Sequence, residues 1–418
     1  MTSNIVLTAA VRQNLLSLQG TAELLSTTQT RLASGKKVNS ALDNPTNFFT
    51  AAGLDARASD ISNLLDSIGN GIQVLQAADT GITSLSKLVD TAKSIANQVL
   101  QQPSGYTSKA NVLFTGASTA AGTAAASNLN AGALTGAVVT FTNSAGTAAT
   151  ITIGASYTAF NSSSKTATVN TLDQFNQALA DAGVNVLASF DPTSPTKLTF
   201  TSNNDASGQV ITVGASATTP TALDAIDISA GAGSGTFGSV TAAVKDAVSQ
   251  ATRANLVSQY NQIMTQITTT AQDASFNGIN LLNGDSLKMV FNETGKSTVT
   301  IAGVTFNPAG LGLANLTPGT DFIDNFMTNA VLTKLNTASI TLRSQASAFG
   351  ANLSIVQIRQ DFNKNIINVL QTGSAALTLA DTNEEAANSQ ALSTRQSIAT
   401  SALSLANQSQ QSVLQLLR

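Results

Sequence analysis

Hydrophobic positions near the start of the chain recur in alternating steps of four and three residues, the heptad period of helices that pack along one face. The positions of this first seam are Val11, Leu15, Leu18, Ala22, Leu25, Gln29 and Leu32. A second seam consists of Ile61, Leu65, Ile68, Ile72, Leu75, Asp79 and Ile82, and continues in a shifted phase through Leu85, Val89 and Ala92. One helix over residues 45–102 is about 85 Å long, which is too long for the core of a compact domain.

Two further seams lie toward the end of the chain, beyond the last proline. The first consists of Leu342, Ala346, Phe349, Leu353 and Val356, and the weaker second one of Ile398, Ala402, Leu405 and Leu416. Either these seams close an antiparallel coiled coil within one chain, or they pair between subunits. The candidate subunit-packing residues are Val11, Leu15, Leu18, Leu25, Leu32, Ile398, Leu405, Val413 and Leu416.

The stretch "RLASGKKVNSALDNP" interrupts the first two helical patterns. Gly35 is suited to the left-handed conformation that ends a helix, and the lysines after it lie near the negative end of the helix dipole. Asn44 followed by Pro45 is typical of a helix start, with Asn as N-cap and Pro at the first helical position. We therefore predict a joint between two helices that need not be collinear.

The middle of the chain, residues 103–240, has a different pattern. It is rich in Ala, Gly, Ser and Thr, and short runs alternate apolar and polar residues: "AVVTFTN", "ATITIGASY", "KLTFTS" and "QVITVG". Between them, "NTLDQFNQALADAGV" places Leu172, Phe175, Ala178 and Leu179 on one helical face. We predict a small β-rich domain with a strand, helix, strand unit. The alternative is a loosely ordered linker.

Helical periodicity resumes after this insertion. Leu256, Tyr260, Ile263 and Ile267 share a face, and the helix is predicted to end near Asn277 and Gly278. The segment "LKMVFNETGKSTVTIAGVTF" then alternates apolar and polar residues on both sides of Gly295, which predicts a β-hairpin.

Composition excludes most enzyme classes. The 418 residues contain no His and no Cys, which removes imidazole bases, thiol nucleophiles and zinc sites built on either residue. Paired carboxylates near Asp224 and Asp227 are the remaining possibility, but "LDAIDIS" is more typical of a loop and a strand edge than of a cleft. We expect no enzyme activity, no catalytic or metal-binding residues, and no cofactor.

Charge and hydropathy narrow the possible partners. Only 10% of residues are charged, where about 25% is usual, so much of the polar surface is neutral, as suits a subunit packed against its own copies. A net charge of −3 gives no basic footprint for nucleic acid. The start lacks the features of a cleaved signal peptide, and no apolar run is long enough for membrane insertion.

Four stretches together resemble bacterial flagellin: "LASGKKVNSALDNP", "NGIQVLQAADTGITSLSKLV", "SFNGINLL" and the terminal "ANQSQQSVLQLLR". The likeness covers about residues 1–102 and 241–418. It implies a mainly α fold with a β-rich insertion: a long antiparallel helical coiled-coil rod of the D0/D1 type, a β-hairpin, and a small α+β outer domain.

The resemblance also implies a division of the chain into layers. The inner helical domain D0 takes residues 1–40 and 378–418, and the spoke joint, with Gly35, Asn44 and Pro45, connects it to D1. Three segments form D1: the rod helix 41–102, the second helix with the hairpin over 241–325, and the C-terminal rod helix 326–377. Residues 103–240 are the variable surface insertion. In many flagellins the insertion follows the hairpin, whereas here it precedes the second helix.

The resemblance implies a homopolymer: a helical, extracellular flagellar filament whose subunits leave through type III export without a cleaved signal. The implied partners are hook-associated junction and cap proteins and an export chaperone. A hook–filament junction protein, or an adhesin or glycan-binding role of the insertion, is the alternative. Flagellins that the vertebrate Toll-like receptor detects well carry Arg and Glu where this chain has Thr91 and Ser94, with Lys93 between them, so we expect weak detection.

Overall fold

A computed structural model describes residues 9–103, 105–161, 164–165, 167–214 and 225–416. It contains six α-helices in these ranges: α1 (Ala9–Ser34), α2 (Pro45–Leu100), α3 (Leu172–Asp181), α4 (Ala247–Asp273), α5 (Asn325–Thr378) and α6 (Thr382–Leu416). The strands before α3 are β1 (Tyr106–Ser108), β2 (Asn111–Gly116), β3 (Val138–Asn143), β4 (Ala148–Thr152), β5 (Tyr157–Thr158) and β6 (Ser164–Lys165). Those after it are β7 (Val186–Asp191), β8 (Ser194–Ser202), β9 (Ile211–Val213), β10 (Ile226–Ala230), β11 (Gly235–Phe237), β12 (Val244–Lys245), β13 (Ser286–Val290) and β14 (Thr298–Ala302). No described helix combines the length and apolarity needed to cross a membrane.

The long heptad seams are confirmed as buried faces of α2 and α5. In α2 the buried seam residues are Ile61, Ile68, Ile72, Leu75, Ile82, Leu85, Val89 and Ala92, whereas Asp79 is exposed. In α5, Leu342, Phe349 and Val356 are buried. Most of the stability of such helices comes from packing of the apolar face, so the seam is the reason that they form.

The chain divides into two compact units, and the first contains residues up to 73 together with 287–301 and 352–418. Its small core joins α2 to α5 through Ala58, Ile61 and Leu370. The predicted hairpin is confirmed as β13 and β14, which pair with each other. Asn363 of α5 donates a 3.0 Å hydrogen bond from Nδ2 to the Phe291 carbonyl, which holds the end of the hairpin against the helix.

The second unit contains residues 74–286 and 302–351, including the predicted β-rich insertion. Two sheets enclose one core there, with strand orders β6-β5-β4-β3-β10-β9 and β11-β2-β8-β7. Phe200 lies at the centre of an aromatic cluster, with ring centroids 5.7 Å from Phe141 and 5.8 Å from Phe175. The linker alternative is therefore wrong, because the alternating runs bury enough apolar surface to order the segment.

Two sequence predictions in this unit are corrected. Of the segment "LDAIDIS", residues 226–229 belong to β10, which is not an edge strand, because it pairs with β3 on one side and β9 on the other. The second rod helix ends at Asp273, before Asn277 and Gly278. The Nδ2 group of Asn280 donates to the carbonyls of Ala271 and Gln272, at 2.8 and 2.9 Å, and so satisfies the helix end early.

Candidate assembly site at the paired chain termini

The helices at the two chain ends, α1 and α6, pack against each other in the first unit. On α1, Val11 and Thr28 are buried, and Leu18 and Leu25 are half-buried. On α6 the shielded positions recur in steps of four and three: Glu385, Ser389, Leu392, Gln396, Ala399, Leu403 and Ala406. The closed pair within one chain is thus present, and small or polar residues form much of its α6 face.

The predicted seam on α6 lies on a different face. Ile398 is 63% exposed and Leu405 70% exposed, and both line an open groove of about 520 Å³ with Thr394, Ser397, Ser401 and Ala402. On α1, the predicted residues Leu15 and Leu32 are exposed. Val413 and Leu416 belong to α6, but their side chains are outside the described part of the structure. Of the predicted subunit-packing residues, Val11, Leu18 and Leu25 are thus buried or half-buried, whereas Leu15, Leu32, Ile398 and Leu405 are exposed.

Sequence reasoning missed two further exposed apolar sets. On α1, Leu16 and Leu24 are 68% and 58% exposed. On α5, Ile355, Ile358, Phe362 and Val369 are exposed at steps of three, four and seven residues. That spacing places them on one helix face, so the period itself was the available signal.

The joint between α1 and α2 has the predicted conformation at both ends. Gly35 has a φ of 68°, in the left-handed region, and ends α1. Asn44 accepts a 3.0 Å hydrogen bond at Oδ1 from the backbone N–H of Asn47, and Pro45 is the first residue of α2. In between, backbone N–H groups of Ser40 and Asn39 donate to Asp43, and these bonds lower the pKa of the Asp43 carboxyl below its ordinary value.

The joint also pairs with the other end of the chain, which the sequence did not reveal. Lys37 donates a 2.7 Å backbone hydrogen bond to the Thr378 carbonyl, and Ala380 donates one of 3.0 Å to the Gly35 carbonyl. Directly after residue 380, Asp381 accepts a 2.9 Å hydrogen bond at Oδ1 from the Asn383 N–H at the start of α6. Residues 35–38 and 378–380 therefore lie side by side as two short antiparallel segments, and this pairing is called the ladder below.

An ion pair adjoins this ladder. Arg31, in the last turn of α1, lies with Nη1 3.3 Å from Oε1 of Glu385 in the first turn of α6. The cation is at the negative end of one helix dipole and the anion is at the positive end of the other. Each charge is thus favoured by its own helix as well as by its partner.

The remaining candidate residues lie in the second unit. Thr91 and Ser94 are exposed on α2, and Nζ of Lys93 lies 3.8 Å from Oδ1 of Asp90. Weak detection by the receptor stays a prediction. Asp227 is buried and accepts a 2.9 Å hydrogen bond from Thr212, whereas Asp224 lies outside the described residues. Within the described ranges, no group of three or more acidic side chains is placed to hold a metal ion.

Comparisons with known proteins match both ends of the chain. Residues 5–112 match the family model of the bacterial flagellin N-terminal helical region, and residues 332–417 match that of its C-terminal helical region. The chain is 31% identical over 165 residues to Flagellin FljM of Caulobacter vibrioides, covering 39% of this chain and 59% of the relative. It is 28% identical over 179 residues to a flagellin of Brucella melitensis, covering 40% and 62%.

The chain thus spans about three fifths of the length of these curated relatives. Among solved structures, the flagellar cap protein FliD domains D1-D2-D3 from Escherichia coli align with a TM-score of 0.14 at 14% identity, covering 69% of this chain and 99% of that one. A score this low supports no argument about a shared fold.

Proposed function

Because this chain belongs to the bacterial flagellin family, we propose that it is a structural subunit that assembles into the helical filament of the flagellum. The observation that carries the proposal is the uncovered apolar surface of the paired terminal helices. Leu16, Leu24, Ile398 and Leu405 are each more than half exposed, although α1 and α6 already pack together. Covering such a side chain is worth about 1.5–3 kcal/mol, so a neighbouring copy gains stability by packing there.

Assembly is open-ended in this proposal. Contacts between different faces of successive copies do not close into a dimer, and their repetition generates a helix. The exposed α5 face with Ile355, Ile358 and Phe362 is a second surface available to neighbours. The low content of charged residues, 10%, keeps like-charge repulsion between copies small.

The layers predicted from the resemblance extend the proposal. Residues 1–40 and 378–418 form the inner domain, and residues 41–102, 241–325 and 326–377 form the surrounding rod layer. The ladder between residues 35–38 and 378–380 supports a joint at this boundary, because both connections cross there together. Residues 103–240 form the outward insertion.

The same proposal gives location and partners. The filament is extracellular, and the subunit leaves the cell through the flagellar export channel, escorted by an export chaperone. Junction proteins hold the base of the filament and a cap protein covers its tip. No membrane insertion and no nucleic acid take part.

Seeded polymerisation tests the proposal. Purified full-length chain is added to short filament seeds, and growth is followed by electron microscopy and sedimentation. The test variant carries Ile398→Ser and Leu405→Ser, and the matched control carries Leu187→Ser and Val213→Ser, which change exposed apolar residues of the insertion in the same way. We expect long filaments from the wild type and the control, and at least tenfold slower growth from the test variant. Burying one such side chain is worth about 1.5–3 kcal/mol of binding free energy, and each 1.4 kcal/mol lost weakens the association constant about tenfold.

A fragment of residues 41–377 completes the test, and we expect no growth from it. Addition of single subunits without elongation would favour a junction protein instead. Equal growth of the test variant and the wild type would contradict the role assigned to the α6 face.

A further inference from the structure

A cavity of about 210 Å³ lies in the second unit, where the insertion meets the start of α5. Its walls include Asn143 at the end of β3, Phe160, Asn185 before β7, Gln209 before β9, and Phe326 in the first turn of α5. None of the described lining residues carries a charge. The cavity is therefore a poor site for a charged ligand, because a charge taken out of water needs a partner.

Gln209 carries the observation that points to a ligand. It is 6% exposed, and its Oε1 atom is shielded from solvent and has no hydrogen-bond partner among the described residues. A buried acceptor left unpaired destabilises a fold, and native proteins contain few of them. The terminal torsion of a Gln side chain is broad, so a rotation can turn Oε1 toward a donor in the cavity. A ligand with a hydroxyl group would supply that donor.

Two further amides add donors to the same cavity. Oδ1 of Asn143 accepts from two backbone N–H groups of the turn after β3, at 3.1 and 3.0 Å, so its Nδ2 group is left to donate to a ligand. Oδ1 of Asn185 accepts from Nδ2 of Asn203 at 3.4 Å, which leaves Nδ2 of Asn185 available in the same way. The fitting ligand has acceptors for two amides and a donor for the third, and a hydroxyl group can serve as either.

Two phenylalanines supply flat apolar walls. Phe160 and Phe326 are both half-buried and line the cavity. A Cβ at Gly183 would lie 3.6 Å from Cδ2 of Phe160, so the missing side chain leaves space beside that ring. Ligand pockets combine such walls with a few placed polar groups. A pyranose ring matches both, because its C–H groups form an apolar face and its hydroxyl groups project from the edge.

We propose that this cavity binds one pyranose unit of a neutral saccharide. Gln209 is the acceptor, Asn143 and Asn185 are the donors, and Phe160 is the stacking wall. Its volume of about 210 Å³ is below the roughly 300–1,000 Å³ of pockets for drug-sized ligands, which suits a single ring. The inference concerns a single subunit and does not depend on filament growth.

Saturation-transfer NMR on the full-length chain tests the proposal. The neutral probes are the methyl glycosides of glucose, galactose and mannose, and N-acetylglucosamine, and the charged counterpart is glucuronate. Titration of the best probe then gives a dissociation constant for each variant. The test variants are Gln209→Leu, which removes the acceptor at similar size, and Phe160→Leu, which removes the ring. The matched control is Gln98→Leu, at an exposed position of α2.

We expect at least one neutral probe to bind and glucuronate not to bind. Gln209→Leu weakens binding about tenfold, as for the loss of one hydrogen bond, and Phe160→Leu weakens it about threefold. Gln209→Leu melts no lower than the wild type, because an apolar group replaces an unpaired acceptor, and Gln98→Leu binds as the wild type does. No binding of any neutral probe, equal binding of glucuronate, or unchanged affinity in both test variants would overturn the proposal.

Discussion

The backbone amide of Lys37 donates a 2.7 Å hydrogen bond to the carbonyl of Thr378, so the two connections that lead to the terminal helices cross in contact with each other. Without this pairing, each connection would be a separate flexible segment. With it, α1 and α6 are tied together at the crossing as well as along their packed faces. The ladder, the Arg31–Glu385 ion pair and the helix caps together make the joint an ordered element.

Replacing Gly35 by Ala is expected to weaken this joint. A Cβ at Gly35 meets no atom within 4 Å, so the cost is the strain of an L-residue at a φ of 68°, about 1 kcal/mol. We expect faster hydrogen exchange at the Lys37 and Ala380 amides, with no change in the second unit. Gly35→Asn is the control, because Asn tolerates the left-handed region. Equal exchange in the wild type and both variants would contradict a strained joint.

Gly81→Ala is expected to destabilise the second unit. A Cβ at this position of α2 would lie 2.7 Å from the Ala274 Cβ and 2.5 Å from Leu282 Cδ1. Ala274 has no side-chain torsion with which to move aside, so overpacking costs roughly 1–3 kcal/mol in denaturant unfolding. Gly69→Ala, in the same helix with nothing within 4 Å, should gain up to about 1 kcal/mol. Destabilisation by both changes would show that the effect is not steric.

Arg253→Met is expected to destabilise the second unit by roughly 1–3 kcal/mol, because the buried carbonyl of Phe322 and the carbonyl of Pro103 lose their donor. The buried guanidinium donates from Nη1 to the Phe322 carbonyl at 2.9 Å and from Nη2 to the Pro103 carbonyl at 3.0 Å. Thermal unfolding of the full chain measures the loss. Arg343→Met, at an exposed position of α5, is the control and should change stability little. Similar melting temperatures of the two variants would contradict a stabilising role of the Arg253 hydrogen bonds.

Tyr157 and Tyr260 should titrate late. Burial raises the pKa of Tyr157 to about 12, helped by its 2.6 Å hydrogen bond to Asp181, and burial raises the pKa of Tyr260 to about 12. The folded values exceed the unfolded value of about 10, so the resulting stability is complete below pH 10 and falls as pH rises from 10 to 12. Ultraviolet titration of the wild type and of Tyr157→Phe checks this. Ionisation of Tyr157 and Tyr260 near pH 10 before any unfolding would be the opposite result.

Local patterns of the sequence were sufficient for the long helices and for the ends of the joint. The seam through Ile68 and Leu75 predicts α2, because a helix repeats its faces every few residues and each position carries the signal. Gly35 and Asn44 predict the end of one helix and the start of the next, because capping depends only on adjacent residues. The alternating runs of the insertion likewise predict strands.

Pairing partners depended on the tertiary structure. The α6 period selects Ile398 and Leu405, yet the face that meets α1 contains Ser389, Gln396 and Ala399. Two closely packed helices accept small residues where they meet, and the hydropathy of a side chain does not show whether its shape fits there. Asp227 became buried because β10 lies between β3 and β9, and strand order is a non-local property. The sequence by itself determined the long helices, the ends of the joint between α1 and α2, and the alternating strands of the insertion. Only the tertiary structure decided that Lys37 meets Thr378 and that Gln209 and Phe326 line one cavity, because contacts between distant residues depend on three-dimensional packing and leave no local periodicity.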